Sequence, residues 1–441
     1  MVLAALTPSL IWASIGKAQD NPTPGFDVLA YEVSIAPDIA SKSLYGAETI
    51  RLRIGREAAA ELAFSPMALQ IMDATLNGQP VQVRSDDKGL VFVPTNPLPA
   101  GKKVELSFRL SGTPKRGINA VPGGIYSAYF ACDWMVCRQD TPGDKARLTL
   151  DIVVPKGSLA VGPGKLLSVG STADGLPIQR WRTARDYSSY LYGFAVGPFK
   201  PVHYRRRGNR ITLWNATGEA QDLEARFAQS APLIDFLSDK AGLPMPGRYY
   251  AQILVPGWQA QEAATYSLIG QKALDADLAT PDQEWILVHE MAHQWWGNLV
   301  TCANWQHFWL NEGFATFMTA AWKEHRYGRE AYDAELDVAR RRLAKAREAG
   351  FDKPLAWDGK YPSLGTRRAV QYSKGALFLD HLRSEMGEDA FWAGIKRYTR
   401  RHAGGTVTSA DFQRAMQQET RRDLAPLFAE WVYGKAGAAE S

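Results

Sequence analysis

Residues 288–317 read VHEMAHQWWGNLVTCANWQHFWLNEGFATF. His289 and His293 stand four apart in this stretch, and Glu290 follows the first directly. The flanks, Trp285-Ile286-Leu287-Val288 and Gln294-Trp295-Trp296-Gly297, are too apolar for a surface helix and read as a buried one. On a helix, positions i and i+4 lie one above the other, so both imidazoles reach a common point. Glu290 lies about 100° further round, where it can meet a water at that point without ligating an ion. Two of the seven histidines fall in this pattern, and burying both beside Glu290 with no ion between them would be costly.

A third ligand stands downstream in Trp309-Leu310-Asn311-Glu312-Gly313-Phe314. Eighteen residues separate His293 from Glu312, enough for a helix end, a turn and the start of a second helix, with Asn311 expected to cap it. His289, His293 and Glu312 then form a two-histidine, one-carboxylate set, which leaves the fourth position of a tetrahedral Zn²⁺ open for chemistry. His203, His307, His325, His381 and His402 have no such partners and read as structural.

Outward from this stretch the chain divides in two. Before it, apolar residues alternate: Tyr31, Val33 and Ile35; Ile50, Leu52 and Ile54; Val104, Leu106, Phe108 and Leu110; Leu148, Leu150 and Ile152. Asn77-Gly78 is a turn signal ahead of Val81 and Val83. Period-two patterning with such punctuation predicts antiparallel sheets with one wet face. Arg205-Arg206-Arg207-Gly208-Asn209 reads as a polar turn. After Trp214 a helical rhythm sets in over residues 223–237, 284–299, 311–325, 332–349, 374–386 and 409–419, the last with Ser409 as N-cap. The fold class is therefore α+β, with an antiparallel β domain over residues 25–204 and a mainly helical domain over 205–436.

At 441 residues the chain is long enough for two or three domains and a large core. Its formal net charge is +5, but the basic residues are dispersed. The one dense run, Arg340-Arg341-Arg342 with Lys345 and Arg347, is interleaved with Leu343 and Ala344 and reads as the wet face of a helix. Nucleic-acid binding is not expected. No stretch approaches the roughly eighteen apolar residues of a membrane span. Residues 1–18 resemble a secretory signal peptide that lacks its basic n-region: uncharged and largely apolar to Gly16, with small residues at Gly16 and Ala18, then polar Gln19-Asp20-Asn21. Export to a periplasm or the exterior is the expectation. In an oxidising compartment Cys132 and Cys137 could close a small loop; in a cytosolic chain they would be buried thiols.

The stretch 288–317 is similar to the aminopeptidase N and leukotriene hydrolase family of zinc metallopeptidases. Weaker matches lie outside it. Gln139-Asp140-Thr141-Pro142 with Asp144-Lys145 resembles a segment of the family's β domain, and residues 190–197, YLYGFAVG, the strand that ends that domain. Tyr372-Ser373-Lys374-Gly375 resembles the family's catalytic tyrosine segment, and Asp411-Phe412 with residues 424–431, LAPLFAEW, the end of its catalytic domain. The resemblance covers residues 25 to 435. It implies a thermolysin-like catalytic domain in the second half, one Zn²⁺ per chain, Glu290 as general base and Tyr372 as oxyanion donor. It also implies peptide substrates with a free N-terminus.

Two departures stand out. The family places a Gly-x-Met-Glu-Asn strand before the zinc helix, whose glutamate grips the substrate's α-amine. The corresponding segment here reads Gln259-Ala260-Gln261-Glu262-Ala263, so Glu262 is the available acid. Aligning on Leu268-Ile269 instead would put Ala264 in its place. Gln139 is a candidate for the same subsite. Larger members also carry a helical C-terminal domain that roofs the site, and without it the cleft would be more open.

Three functional classes compete. An aminopeptidase requires Glu262 to face the metal at one residue's length. A zinc hydrolase without a free-amine requirement, an endopeptidase or a small-molecule hydrolase, would share the metal and lack a closed amine pocket. An inactive binding protein would not need the complete ligand set and base that the sequence retains.

Overall fold

The computed structural model describes residues 25–280, 282 and 284–434; residues 1–18, read above as resembling a signal peptide, lie outside them. The first half is built on a nine-stranded sheet. Its central strands are Lys145–Val153, Phe26–Pro37, Leu44–Ile54 and Lys103–Gly112, paired in that order. As the alternation predicts, Tyr31, Val33, Ile35, Ile50, Leu52, Leu106, Leu110, Leu148 and Leu150 are buried on one face. Pairing is not antiparallel throughout: Phe26–Pro37 runs parallel to Lys145–Val153. Asn77 and Gly78, at φ +51° and +78°, turn the chain between strands Gln70–Leu76 and Gln79–Pro80, the double positive-φ geometry of a tight hairpin. Cys132 and Cys137 are disulfide-bonded.

The second half opens with a sheet that the helical reading did not anticipate. Its order is Val202–Arg206, Asn209–Asn215, Tyr249–Val255, Tyr266–Gly270 and Ala260–Gln261. Asn209–Asn215, Tyr249–Val255 and Tyr266–Gly270 are mutually parallel. The physical reason for the miss is burial on both faces: Tyr249–Val255 is buried at every position, so the period-two contrast vanishes. Tyr250 and Leu254 face the helical core, while Tyr249, Ala251, Ile253 and Val255 pack toward the first half. The polar residues 205–209 form the turn between Val202–Arg206 and Asn209–Asn215, so the expected boundary near 204 falls inside a strand of this second sheet.

Helices follow. The expected helix over 223–237 is two, Leu223–Arg226 and Ser230–Ala241, restarting where Pro232 can occupy a first turn. The metal-motif helix, Ile286–Ala292, is shorter than expected, because Gly297 at φ +132° turns the chain away soon after. Trp309–Tyr327, Arg329–Glu348, Gly375–Met386 and Ser409–Gln417 lie where the rhythm placed them, and Glu388–Arg401 adds one that it did not single out. Two capping expectations fail. Asn311 lies inside its helix; its amide oxygen accepts from Cys302 N at 3.2 Å and its amide nitrogen donates to Tyr190 Oη at 3.1 Å. Thr408, not Ser409, caps the last of these helices, in a reciprocal box with Asp411. No helix of the described residues is long and apolar enough to cross a membrane.

Candidate metal centre

Both motif histidines are buried on the helix Ile286–Ala292 and its C-cap. His293 Nδ1 sits 3.0 Å from the carbonyl oxygen of Trp296, which fixes Nδ1 as the protonated nitrogen and turns Nε2 inward as a lone-pair donor. The two Nε2 atoms are 3.2 Å apart. Glu312, three residues into Trp309–Tyr327, places Oε2 at 3.3 Å from His289 Nε2 and 3.4 Å from His293 Nε2. These three atoms form a nearly equilateral triangle. A tetrahedral zinc with bonds of about 2.0–2.1 Å requires ligand–ligand edges of roughly 3.3 Å, so the triangle already has the dimensions of a zinc face. Among the described residues this is the one cluster of histidine, cysteine and carboxylate ligands close enough to hold a metal.

The field at this point favours a cation. Burial opposes the charge on His293, yet Glu312, Glu262 and Glu290 overcome it and push the imidazole up to about 10. Burial would raise the Glu312 carboxyl, but His293 and the hydrogen bonds from both histidines hold it well below the usual range. Glu290 is 4% exposed, and one of its carboxylate oxygens has no hydrogen-bond partner among the described residues. Burial pushes its carboxyl well up, against the pull of His293 and with the push of Glu262 and Glu312. That makes it a stronger base than a free glutamate, beside the ligand triangle but outside it.

Tyr372 reaches the same site from another element. It lies in a π-helical turn, Arg368–Lys374, that continues into the helix Gly375–Met386. Its ring stacks on His289 with centroids 5.8 Å apart and planes 3° from parallel. Burial, then the charges of Glu312 and Glu262, hold its phenol well above the normal range, so it remains an O–H donor. The placement depends on a glycine pair. A Cβ on Gly375 would lie 2.8 Å from Gly313 Cα, so the two helices touch backbone to backbone beside Glu312. Gly375→Ala should therefore lower stability by about 1–3 kcal/mol and reduce kcat through displacement of Tyr372. Urea denaturation and steady-state kinetics check this; an unchanged variant by both measures would remove the glycine contact from the account.

Glu262 is partly exposed at the end of strand Ala260–Gln261. Asn298, whose N–H donates to His293 O at 2.9 Å, sends its side-chain amide to the carbonyl oxygens of Glu262 and Ala263 at 3.0 and 3.1 Å. Gln294 adds a bond to Ala263 O at 3.2 Å and accepts from Thr265 N at 3.2 Å. These residues lace the Glu262 segment to the end of the metal helix. Burial raises the Glu262 carboxyl against the pull of His293. Ala264, the alternative position, is fully buried in the first-half core, its N–H bonded to Leu191 O at 2.9 Å.

Gln139 stands further back. Its side-chain amide donates to Tyr129 O at 3.2 Å, and its Oε1 is buried without a partner among the described residues. Tyr129 is the intermediary: its backbone N–H donates to Gln261 Oε1 at 2.8 Å and its hydroxyl to Ala260 O. Sequence reading missed Tyr129; its unusual φ of +63° marks it only once the backbone is known. Lys145, in the segment beside Gln139, reaches across the halves and donates to the carbonyls of Asn298, Leu299 and Gly405 at 3.1, 3.1 and 3.3 Å. It secures the loop that carries Asn298.

Comparison with known proteins agrees with this geometry. Residues 227–431 match the Peptidase family M1 domain. The chain is 23% identical to Aminopeptidase 2 of Candida albicans over 95% of its own length and 48% of that protein's. It is 28% identical to Aminopeptidase N of Streptomyces lividans over 56% of this chain and 31% of that one. The chain thus spans about half the length, or less, of these curated relatives. Among solved structures it superposes on an M1 zinc metallopeptidase from Deinococcus radiodurans with a TM-score of 0.79 and 23% identity, covering 95% of this chain and 96% of that one, which shows a shared two-part fold. These matches support the aminopeptidase N type of zinc metallopeptidases, with residues 227–431 similar to the Peptidase family M1 domain. The family's single zinc fits the triangle of His289, His293 and Glu312.

Proposed function

We propose that the chain is a zinc-dependent aminopeptidase that removes N-terminal residues from peptides with a free α-amine. The observation that carries the reading is the pairing of a buried base, Glu290, with a second carboxylate, Glu262, tied through Asn298 to the end of the metal helix. Zinc, when bound, supplies a Lewis acid and an acidified water. Glu290 takes a proton from the attacking water and passes it to the leaving amine. Tyr372 donates its phenolic hydrogen to the oxygen on which charge develops. Glu262 receives the substrate ammonium, which sets the distance from the N-terminus to the scissile bond. Gln139, through Tyr129, supports the strand that carries Glu262. A solved structure of the Deinococcus protein in mutant form carries a Tyr-Ser-Ala substrate, which is consistent with a peptide in this kind of cleft.

Free and N-acetylated aminoacyl reporters test the reading. Acetylation deletes the charge and adds bulk at the amine, and most activity should go with it. Glu262→Ala should damage cleavage of free-amine substrates far more than of blocked ones. Equal cleavage of both reporters by the wild-type protein would replace the aminopeptidase reading with that of a zinc hydrolase indifferent to the amine.

A further inference from the structure

Arg367 is a partly exposed cation close to this site that the mechanism does not use. Two independent contacts fix its position. Its guanidinium carbon lies 4.6 Å from the ring centroid of Phe308, and Phe308 is one helical turn before Glu312, whose N–H donates to Phe308 O at 3.1 Å. Its Nε donates to Gln371 Oε1 at 2.8 Å, and Arg367 itself stands five residues, one π-helical turn, before Tyr372. The head group is thus anchored one turn from a metal ligand on one helix and one turn from the proposed oxyanion donor on another. It is partly exposed and forms no ion pair with any described residue. Its two terminal nitrogens remain available, in the fork geometry that suits a carboxylate.

We propose that Arg367 binds the C-terminal carboxylate of short peptide substrates, so that the cleft selects dipeptides and tripeptides by gripping both ends. This rests on the aminopeptidase reading, in which Glu262 takes the amine. One helical turn is about 5.4 Å, and each extended residue spans roughly 3.3–3.6 Å. A carboxylate one or two residues beyond the scissile bond therefore falls within reach of an arginine side chain placed one turn away. Its charge already acts on Glu262 and Tyr372, lowering both against the larger effect of burial. Glu262 and Arg367 thus offer opposite charges beside the metal triangle, as a zwitterionic short peptide requires.

Calorimetric binding to the Glu290→Gln protein reads this separately from turnover. The probes are Ala-Ala-Ala as free acid and as C-terminal amide. The acid should bind about tenfold or more tightly than the amide, roughly 1.4 kcal/mol or more. Arg367→Ala should erase that difference while leaving amide binding in place, and Arg367→Lys should restore part of it. In the wild-type background, Arg367→Ala should raise KM for the acid and leave an aminoacyl anilide, which has no carboxylate, unaffected. Equal binding of acid and amide to Glu290→Gln, or an equal loss for acid, amide and anilide in Arg367→Ala, would overturn the proposal. An acid preference in binding with no turnover of any free-amine substrate by the wild type would leave Arg367 as a carboxylate site and remove the aminopeptidase reading.

Discussion

Glu290→Gln should lower kcat by about 10²–10⁴-fold while zinc content and thermal stability stay at wild-type levels. The substitution is nearly isosteric at a site only 4% exposed, so the surrounding packing is preserved. The ligand triangle is made by His289, His293 and Glu312, and Glu290 is not part of it. What the variant loses is basicity, at a carboxylate that burial and the neighbouring Glu262 and Glu312 make an unusually strong proton acceptor. KM should change little, because the group acts on the water rather than on the bound peptide. Metal analysis alongside steady-state kinetics decides the matter. An empty metal site in this variant would show that Glu290 is a ligand, and a kcat within tenfold of wild type would remove it from the role of base.

The parts of this site that follow from helical periodicity were legible in the sequence. His289 and His293 share a face because any helix puts i and i+4 together, and Glu290 leaves that face for the same reason. Glu312 was legible because a second helix beside the first offers a carboxylate at its start. The alternating runs around Tyr31, Ile50 and Leu106 gave the first sheet, since each strand there has one buried and one exposed face. The second sheet was not legible, because strands such as Tyr249–Val255 are covered on both sides and carry no contrast.

Tyr372 belongs to a different class of information. Its segment drew notice only through resemblance, since a tyrosine in an apolar helical run is ordinarily core. What brings it to His289 is a backbone contact between Gly313 and Gly375 together with a π-helical turn, and neither has a local signature. Asn311 and Ser409 were misread as caps for a related reason. Each spends its side chain on a distant partner, Asn311 on Cys302 and Tyr190, Ser409 on His307 and Trp309, so tertiary contacts rather than helix ends explain them. Arg367 was equally hidden, because its relation to the site runs through Phe308 on one helix and Gln371 on another.

Removing the metal should abolish peptidase activity, with zinc restoring it and Glu312→Ala preventing the restoration at zinc concentrations that saturate the wild type. Glu312 supplies the only anionic corner of the triangle, 3.3 and 3.4 Å from the two imidazole nitrogens, and its carboxyl is held ionised by both histidines. Truncating it leaves two neutral donors, a set too small for a catalytic zinc site, which ordinarily has three protein ligands. A second readout follows from linkage: an ion that binds only the folded state adds stability of about 2.7 kcal/mol at a free concentration a hundredfold above its Kd. Thermal denaturation of the wild type should therefore shift upward when zinc is returned after chelation, and that shift should shrink in Glu312→Ala. His289 and His293 come from one short helix, whereas Glu312 comes from another, so the bound ion also joins two separate elements of the core. Chelated protein, shown by metal analysis to be zinc-free, that hydrolysed reporters at the native rate and melted at the native temperature would refute the metal centre itself.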